Sequence, residues 1–163
     1  MRIVLVLLAI TIWKPQHQAA KTTCYNGWLQ FNESCYLFGH NPVHFTEAEH
    51  FCRQHHNSHL IHINDKFENA YIKDMLRQFK ANSWWMGLTD EEIEGVWKWF
   101  DTEEVTSITD WGTNQPDNSG GEDCVIFYEG FDYHWADVSC TQNYVPLCES
   151  SGEACTGETE MVG

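Results

Sequence analysis

Seven cysteines in 163 residues constrain this chain more than any other feature: Cys24, Cys35, Cys52, Cys124, Cys140, Cys148 and Cys155. What they do depends on the compartment, and the amino terminus speaks to that. Arg2 precedes an apolar run from Ile3 to Trp13 that only Thr11 interrupts, and Lys14 and Pro15 follow it. The run is too short for a bilayer span, and no other stretch of the chain is long and apolar enough for one. Residues 1–20 therefore read as a secretory signal peptide, cut after Ala20. In an oxidising compartment the cysteines are bridged rather than metal-bound. No CxxC pair is present, which removes zinc-ribbon and thioredoxin-like readings. Six cysteines allow fifteen pairings, and arithmetic alone does not choose among them. The seventh is left free or joined to another chain. Asn32-Glu33-Ser34 is an N-glycosylation sequon, in keeping with an extracellular protein.

Charge narrows the partners. The formal net charge is -15, and removing the leader deletes Arg2 and Lys14 but no acid. Such a surface repels phosphate backbones and anionic lipid, so neither nucleic acid nor membrane is an expected partner. It suits a protein that holds cations. Aromatic residues make up 14% of the chain, with 8 Trp, enough to build a core and to exclude intrinsic disorder.

The length fits one domain, assigned to residues 21–149, followed by a flexible acidic tail at 150–163. Two helices stand out. The first is expected to start at Thr46, with Glu49 completing a capping box and Phe45, Ala48, Phe51 and Cys52 at helical spacing. The second begins near Asn64 or Asp65, with Phe67, Tyr71, Met75, Leu76 and Phe79 as its apolar stripe. Beyond about Ser83 the pattern becomes that of short strands: Trp84–Leu88, Val96–Phe100, Val125–Tyr128 and Tyr144–Leu147. Between them, Asp101 to Asp123 is long, polar and rich in turn formers, and such a loop in a small domain is usually functional. The layout is that of an α+β domain.

Oxygen ligands concentrate at Asp90–Glu94, at Gln115–Asp123 and at Asp137. A hard cation such as calcium takes six to eight oxygens in a flexible cage, which loop carboxylates and amides supply. A solvated acidic face is the plainer reading of the same residues, and no EF-hand pattern decides between them. Catalysis has no support. GxSxG, HExxH and P-loop patterns are absent, and a glycosidase would need a deep cleft with one protonated carboxyl.

Six cysteines at these positions, with Trp85-Met86-Gly87-Leu88, Gln115-Pro116-Asp117, Glu122-Asp123-Cys124 and Trp135-Ala136-Asp137, resemble the C-type lectin-like domain in its long form. The match runs from Cys24 to Glu149. The resemblance implies disulfides Cys24–Cys35, Cys52–Cys148 and Cys124–Cys140, with Cys155 left over for an intermolecular bridge or a capped thiol. It implies small antiparallel sheets and a long calcium-binding loop beside the two helices, and a cis peptide before Pro116. It also implies calcium ligation by Gln115, Asp117, Glu122 and Asp137 at a sugar-binding site. A neighbouring calcium would be held by Asp90, Glu94, Asn118 and Asp123, with Glu122 shared.

In this family a Gln-Pro-Asp motif accompanies galactose-type sugars, so galactose or N-acetylgalactosamine is the implied ligand. Two positions depart from the family pattern. Ala136 stands where an Asn usually serves both ion and sugar. Ser119 stands where strong galactose binders carry an aromatic, and Tyr133 and His134 are the candidates to replace it. The expected protein is a secreted calcium-dependent lectin that binds terminal galactose-type glycans, with innate recognition of microbial surfaces as its implied role and a Cys155-linked dimer as its source of avidity. The competing expectation is a lectin-like module that binds protein or calcium mineral. Trp85, Trp97, Trp99, Trp111 and Trp135 read as core. His55, His56, His59 and His62 are dense enough to suggest zinc or copper, but no single face joins them, and they read as polar helix-end residues.

Overall fold

The computed structural model of the protein describes residues 22–79 and 83–154. The leader assigned to residues 1–20 and Cys155 lie outside these residues. In chain order, Thr22–Thr23 (β1) precedes a hairpin of Leu29–Phe31 (β2) and Ser34–Phe38 (β3). Helix Phe45–Gln54 (α1), strand His59–Leu60 (β4) and helix Lys66–Phe79 (α2) follow. Strands Trp84–Thr89 (β5), Lys98–Trp99 (β6), Cys124–Tyr128 (β7), His134–Val138 (β8), Val145–Ser150 (β9) and Glu153–Ala154 (β10) complete the order. A short 3-10 turn at Glu129–Phe131 joins β7 to β8.

The main sheet runs β2-β3-β9-β5-β7-β8, with β4 added beside β9 and β6 beside β5. Its parallel contact is β5 with β9, and the other pairs are antiparallel. Side chains alternate across a strand, so a central strand covered on both faces is apolar throughout. Here Trp84, Met86 and Leu88 of β5, Phe127 of β7 and Leu147 of β9 join one buried cluster, with Ile72 and Leu76 of α2. Trp85, Ile126 and Cys148 join the other, with Phe45, Ala48 and Cys52 of α1. The two helices thus cover opposite faces of the sheet. Gly87 makes a close approach possible: a Cβ there would lie 2.8 Å from the Leu60 carbonyl oxygen.

The disulfides are Cys24–Cys35, Cys52–Cys148 and Cys124–Cys140, the pairing that the resemblance implies. Cys52–Cys148 ties α1 to β9 across a separation of 96 residues. Loop-closure entropy gives such a long cross-link about 4–5 kcal/mol of stabilisation. Asn32 of the sequon is exposed, at a positive φ in the tight β2–β3 turn that Asn tolerates.

Several local expectations shift. The first helix begins at Phe45, not Thr46, and its cap is His44, whose backbone N–H donates to Glu47 at 3.3 Å. Glu49 is no cap. It is buried, accepting from the Leu60 N–H at 2.8 Å and from Arg53 Nε at 2.6 Å. Asp65 caps α2 through the backbone N–H groups of Phe67 and Glu68. The buried face of α2 is Glu68, Asn69, Ile72, Lys73 and Leu76. Phe67 and Phe79, placed in the apolar stripe by spacing, are 66% and 48% exposed. The run Val96–Phe100 yields a strand of only two residues. Ser150 and Glu153–Ala154, assigned to the tail, belong to strands, because backbone ladders need no apolar side chain.

Candidate functional site

The long segment between β6 and β7 carries no strand longer than an isolated bridge, yet it is anchored. Asp110 is its anchor. One carboxylate oxygen accepts from Asn69 Nδ2 and Lys73 Nζ of α2, each at 2.7 Å, and the other lies 2.9 Å from His134 Nδ1. Burial pushes the Asp110 carboxyl up, but the bonds from Lys73 and Asn69 outweigh it and hold it below the ordinary value. The backbone of Trp111 then bridges Trp135 on β8, and the Gly112 N–H donates to the Trp135 carbonyl at 2.8 Å. This places Gln115 beside Asp137, whose backbone N–H donates to Gln115 Oε1 at 3.2 Å.

The Gln115–Pro116 peptide is cis. Across it, Gln115 Nε2 donates to Asp117 Oδ2 at 2.9 Å. The Asp137 carboxylate accepts the backbone N–H groups of Asp117 and Asn118, at 3.0 and 2.7 Å. Gly120 and Gly121 both take positive φ with open space around them, so the chain doubles back. Glu122 is thereby returned toward Asp117, and both carboxylates accept the Ser119 N–H at 3.0 Å. One ligand oxygen from each of Asp117, Glu122 and Asp137 lies within 4.8 Å of the others. No ion pair among the described residues reaches these three carboxylates. Burial pushes the Glu122 carboxyl up, and the negative charges of Asp137 and Asp117 push it further. Three converging carboxylates with no cationic side chain form a donor set that fits a hard divalent cation.

The expected second set is looser: ligand atoms of Asp90, Glu94 and Asp123 do not converge as those of the first set do, although the Asp90 N–H donates to the Asp123 carbonyl at 3.1 Å. Asp90 is 3% exposed; its Oδ2 accepts the Gly95 N–H at 2.7 Å, while its Oδ1 is buried with no hydrogen-bond partner. Burial raises its pKa, and so do the charges of Glu94 and Asp123. An orphaned buried carboxylate oxygen between two further acids also fits a cation. Asn118 turns its side-chain oxygen to the Glu122 N–H at 2.9 Å, coupling the two sets through the loop.

The first set opens into a cleft of about 270 Å³. Gln115, Asp117, Ser119, Glu122 and Asp137 are its polar lining, Ala136 lies among them, and Tyr128, Phe131 and Tyr144 are its aromatic lining. Neither aromatic proposed from sequence is on that wall. Tyr133 is buried in the core, 4% exposed. His134 is committed to Asp110 and lines a different hollow with Trp111 and Thr113. Both were expected near the wall of the binding loop, but the turn at Glu129–Phe131 delivers Tyr128 and Phe131 instead. Tyr128 was legible as the outer end of the Val125–Tyr128 run, exposed beside buried neighbours. Trp85, Trp97, Trp99 and Trp135 are buried, and Trp111 is half-buried against the core.

Away from this cleft, the structure brings His59 and His62 together with Asp101, the first residue of the long segment. His55 and His56 are elsewhere: His55 bonds the Phe51 carbonyl, and His56 stacks on Tyr25.

The model of the lectin C-type domain matches residues 41–150. Human C-type lectin domain family 10 member A is 37% identical over 136 residues, which is 79% of this chain and 40% of the human protein. A perlucin-like protein of Mytilus galloprovincialis is 31% identical over 123 residues, covering 74% of this chain and 78% of its own length. The chain therefore spans about two fifths of the human relative and most of the mussel one. Among solved structures, the carbohydrate-recognition domain of the mouse scavenger receptor C-type lectin superposes with a TM-score of 0.73 at 34% identity. It covers 80% of this chain and 100% of that domain.

Proposed function

Because the chain belongs to the C-type lectin domain family, we propose that it is a calcium-dependent carbohydrate-binding protein whose site is Gln115, Asp117, Glu122 and Asp137. Members of this family are binding modules rather than enzymes. The observation that carries the reading is the convergence of the Asp117, Glu122 and Asp137 oxygens within 4.8 Å, beside the Gln115 amide and at the mouth of an aromatic-walled cleft. Calcium bound there would accept a pair of vicinal sugar hydroxyls as its last oxygen ligands. The chain's own part is selection. Gln115 offers an amide donor and Asp117 a carboxylate acceptor, and this order around the site favours galactose or N-acetylgalactosamine over mannose. Asp90, Glu94, Asn118 and Asp123 would hold a second calcium that stiffens the loop.

Tyr128, Phe131 and Tyr144 take the role that Ser119 cannot, offering ring faces to the apolar side of the sugar. Tyr133 and His134 act behind them, one in the core and one on Asp110. Affinity for a single monosaccharide is expected to be roughly millimolar, because the ligand is small and already solvated. Useful binding then calls for several sites at once, and a bridge through Cys155 would supply a pair. The same proposal includes secretion by a leader at 1–20, glycosylation at Asn32, and recognition of microbial glycans as the use to which the site is put.

A second reading has one specific observation behind it. Ala136 is 4% exposed at the floor of the cleft and offers neither ion nor sugar a polar atom. A module that keeps calcium but binds protein or mineral fits that residue. Chromatography on immobilised galactose and mannose, in calcium and then in EDTA, separates the readings. Retention on galactose, released by EDTA or free galactose, is the expected result. Retention on mannose alone overturns the galactose preference. Retention on neither, by folded protein that binds calcium, overturns the lectin reading in favour of the second.

A further inference from the structure

We propose that His59, His62 and Asp101 form a second, separate metal site, for a borderline cation of the zinc class. The three side chains come from β4, from the segment just beyond it, and from the chain just after β6. One ligand atom from each lies within 4.8 Å of the other two. Two imidazole nitrogens and one carboxylate oxygen make a donor set for zinc rather than calcium, which selects oxygen alone.

The details of protonation favour ligation. His59 Nδ1 lies 2.9 Å from the Leu60 carbonyl oxygen, and a carbonyl can only accept. The neutral ring therefore carries its proton on Nδ1, which leaves the Nε2 lone pair free. An N–H bonded to a backbone carbonyl is how ligating histidines are commonly oriented. His62 is held in place by stacking on Trp99, with ring centroids 4.6 Å apart. His62 Nε2 lies 2.6 Å from Asp101 Oδ1, and neither of these buried atoms has any other polar partner. Two ligands of tetrahedral zinc sit roughly 3.3 Å apart, so this pair at 2.6 Å needs to open by about 0.7 Å. Arg53 does not occupy the site. Its Nη2 is 3.6 Å from Asp101 Oδ2, the other oxygen, and its Nε is neutralised by Glu49. The site accounts for three residues that the lectin reading leaves unused.

The test is zinc titration of the calcium-saturated full chain, repeated in the Cys155→Ser variant so that the odd thiol is not the ligand. The expected result is one zinc per chain in both. Cobalt should give the visible absorption of a four-coordinate ion. His59→Gln and Asp101→Asn should each weaken zinc roughly tenfold or more. Should either variant fail to fold, imidazole nitrogen resonances of the unaltered protein decide the matter. Zinc-dependent shifts at His59 and His62 support the site, and shifts confined to other histidines overturn it. Absence of saturable zinc binding, or affinity unchanged in both folded variants, leaves only an ordinary His–Asp contact and overturns the proposal. Galactose retention is measured on the same samples, so failure of the lectin reading is seen separately.

Discussion

Glu49, Glu68 and Glu149 in the helix-and-sheet half carry the same carboxylate as Asp117, Glu122 and Asp137 in the loop half, in opposite circumstances. The first three are buried, as Asp137 is, and each receives a donor from outside its own helix or strand. Glu68 accepts from Tyr36 Oη at 2.5 Å and from the Asn64 N–H at 2.7 Å. Glu149 accepts from Ser34 Oγ at 2.7 Å and from the His62 N–H at 3.1 Å. Glu49 clips α1 to β4 through the Leu60 N–H. These acids are complete within the protein and behave as fasteners. Asp117 and Glu122 accept the Ser119 N–H of their own loop, Asp137 on β8 accepts the Asp117 and Asn118 N–H groups, and the three acids face one another across the gap. A shared residue type thus yields a staple where single carboxylates meet donors from other elements and a candidate cation ligand set where three like charges converge.

The largest effect on this contrast is expected from Glu49→Ala. It leaves the buried Leu60 N–H without an acceptor and Arg53 with only its 3.6 Å contact to Asp101, at a cost of about 2–4 kcal/mol. Urea unfolding in EDTA reads it, and calcium affinity of the folded fraction should not move. Asp137→Asn should do the reverse. The amide oxygen can still accept one loop N–H but the amide nitrogen cannot accept the other, so stability in EDTA falls by about 1–2 kcal/mol, less than for Glu49→Ala, while calcium affinity falls on the order of tenfold or more. Equal losses of stability from both substitutions would erase the distinction. Ala136→Asn sharpens it on the ligand side: one added polar group at the cleft floor should strengthen galactose binding by about 1 kcal/mol. A folded, calcium-binding variant with no gain would count against sugar as the ligand.

The smallest effect concerns acid. Burial pushes the Glu149 carboxyl above its usual 4.5, and the nearby charge of Glu68 adds to this. A raised pKa means the folded state takes up its proton before the unfolded state does. Stability of the calcium-free protein should therefore rise as pH falls from neutrality toward 4.5, so far as this group governs it. Asp101 and Asp110 have the opposite sign. Each is held below the usual 3.8, so their contribution is lost as pH falls further, through their depressed values. Calcium binding declines over the upper part of that range, because its ligands must be ionised. Urea midpoints in EDTA that fall steadily from pH 7 to 4.5 would contradict the assignment for Glu149.

What the sequence revealed and what it hid follow the same division. The strands β5, β7 and β9 were legible because they are apolar on both faces, and the loop acids because motif and composition coincide there. The helix register was not. Thr46 and Glu49 imitate a capping box, but Glu49 is drawn inward by Leu60, eleven residues on. Phe67 and Phe79 match the period of α2, yet the buried face includes Glu68, Asn69 and Lys73. Those polar residues can be interior only because Tyr36 and Asp110 meet them, and local periodicity does not encode such distant partners. The same blindness misassigned Tyr133 and His134 and concealed the aromatic wall. Tyr128 and Tyr144 are separated by the whole β8 excursion before they share a cleft.

The pairing of Thr22–Thr23 with Glu153–Ala154 carries a different lesson. The path enters and leaves the domain side by side, like the two legs of a hairpin pin. A unit wired this way is a cassette. It can be spliced into a longer polypeptide, or strung in tandem, without stretching either flank and without disturbing residues 101–144, where the cleft is built. Its recognition chemistry travels with it, whatever chain it is plugged into.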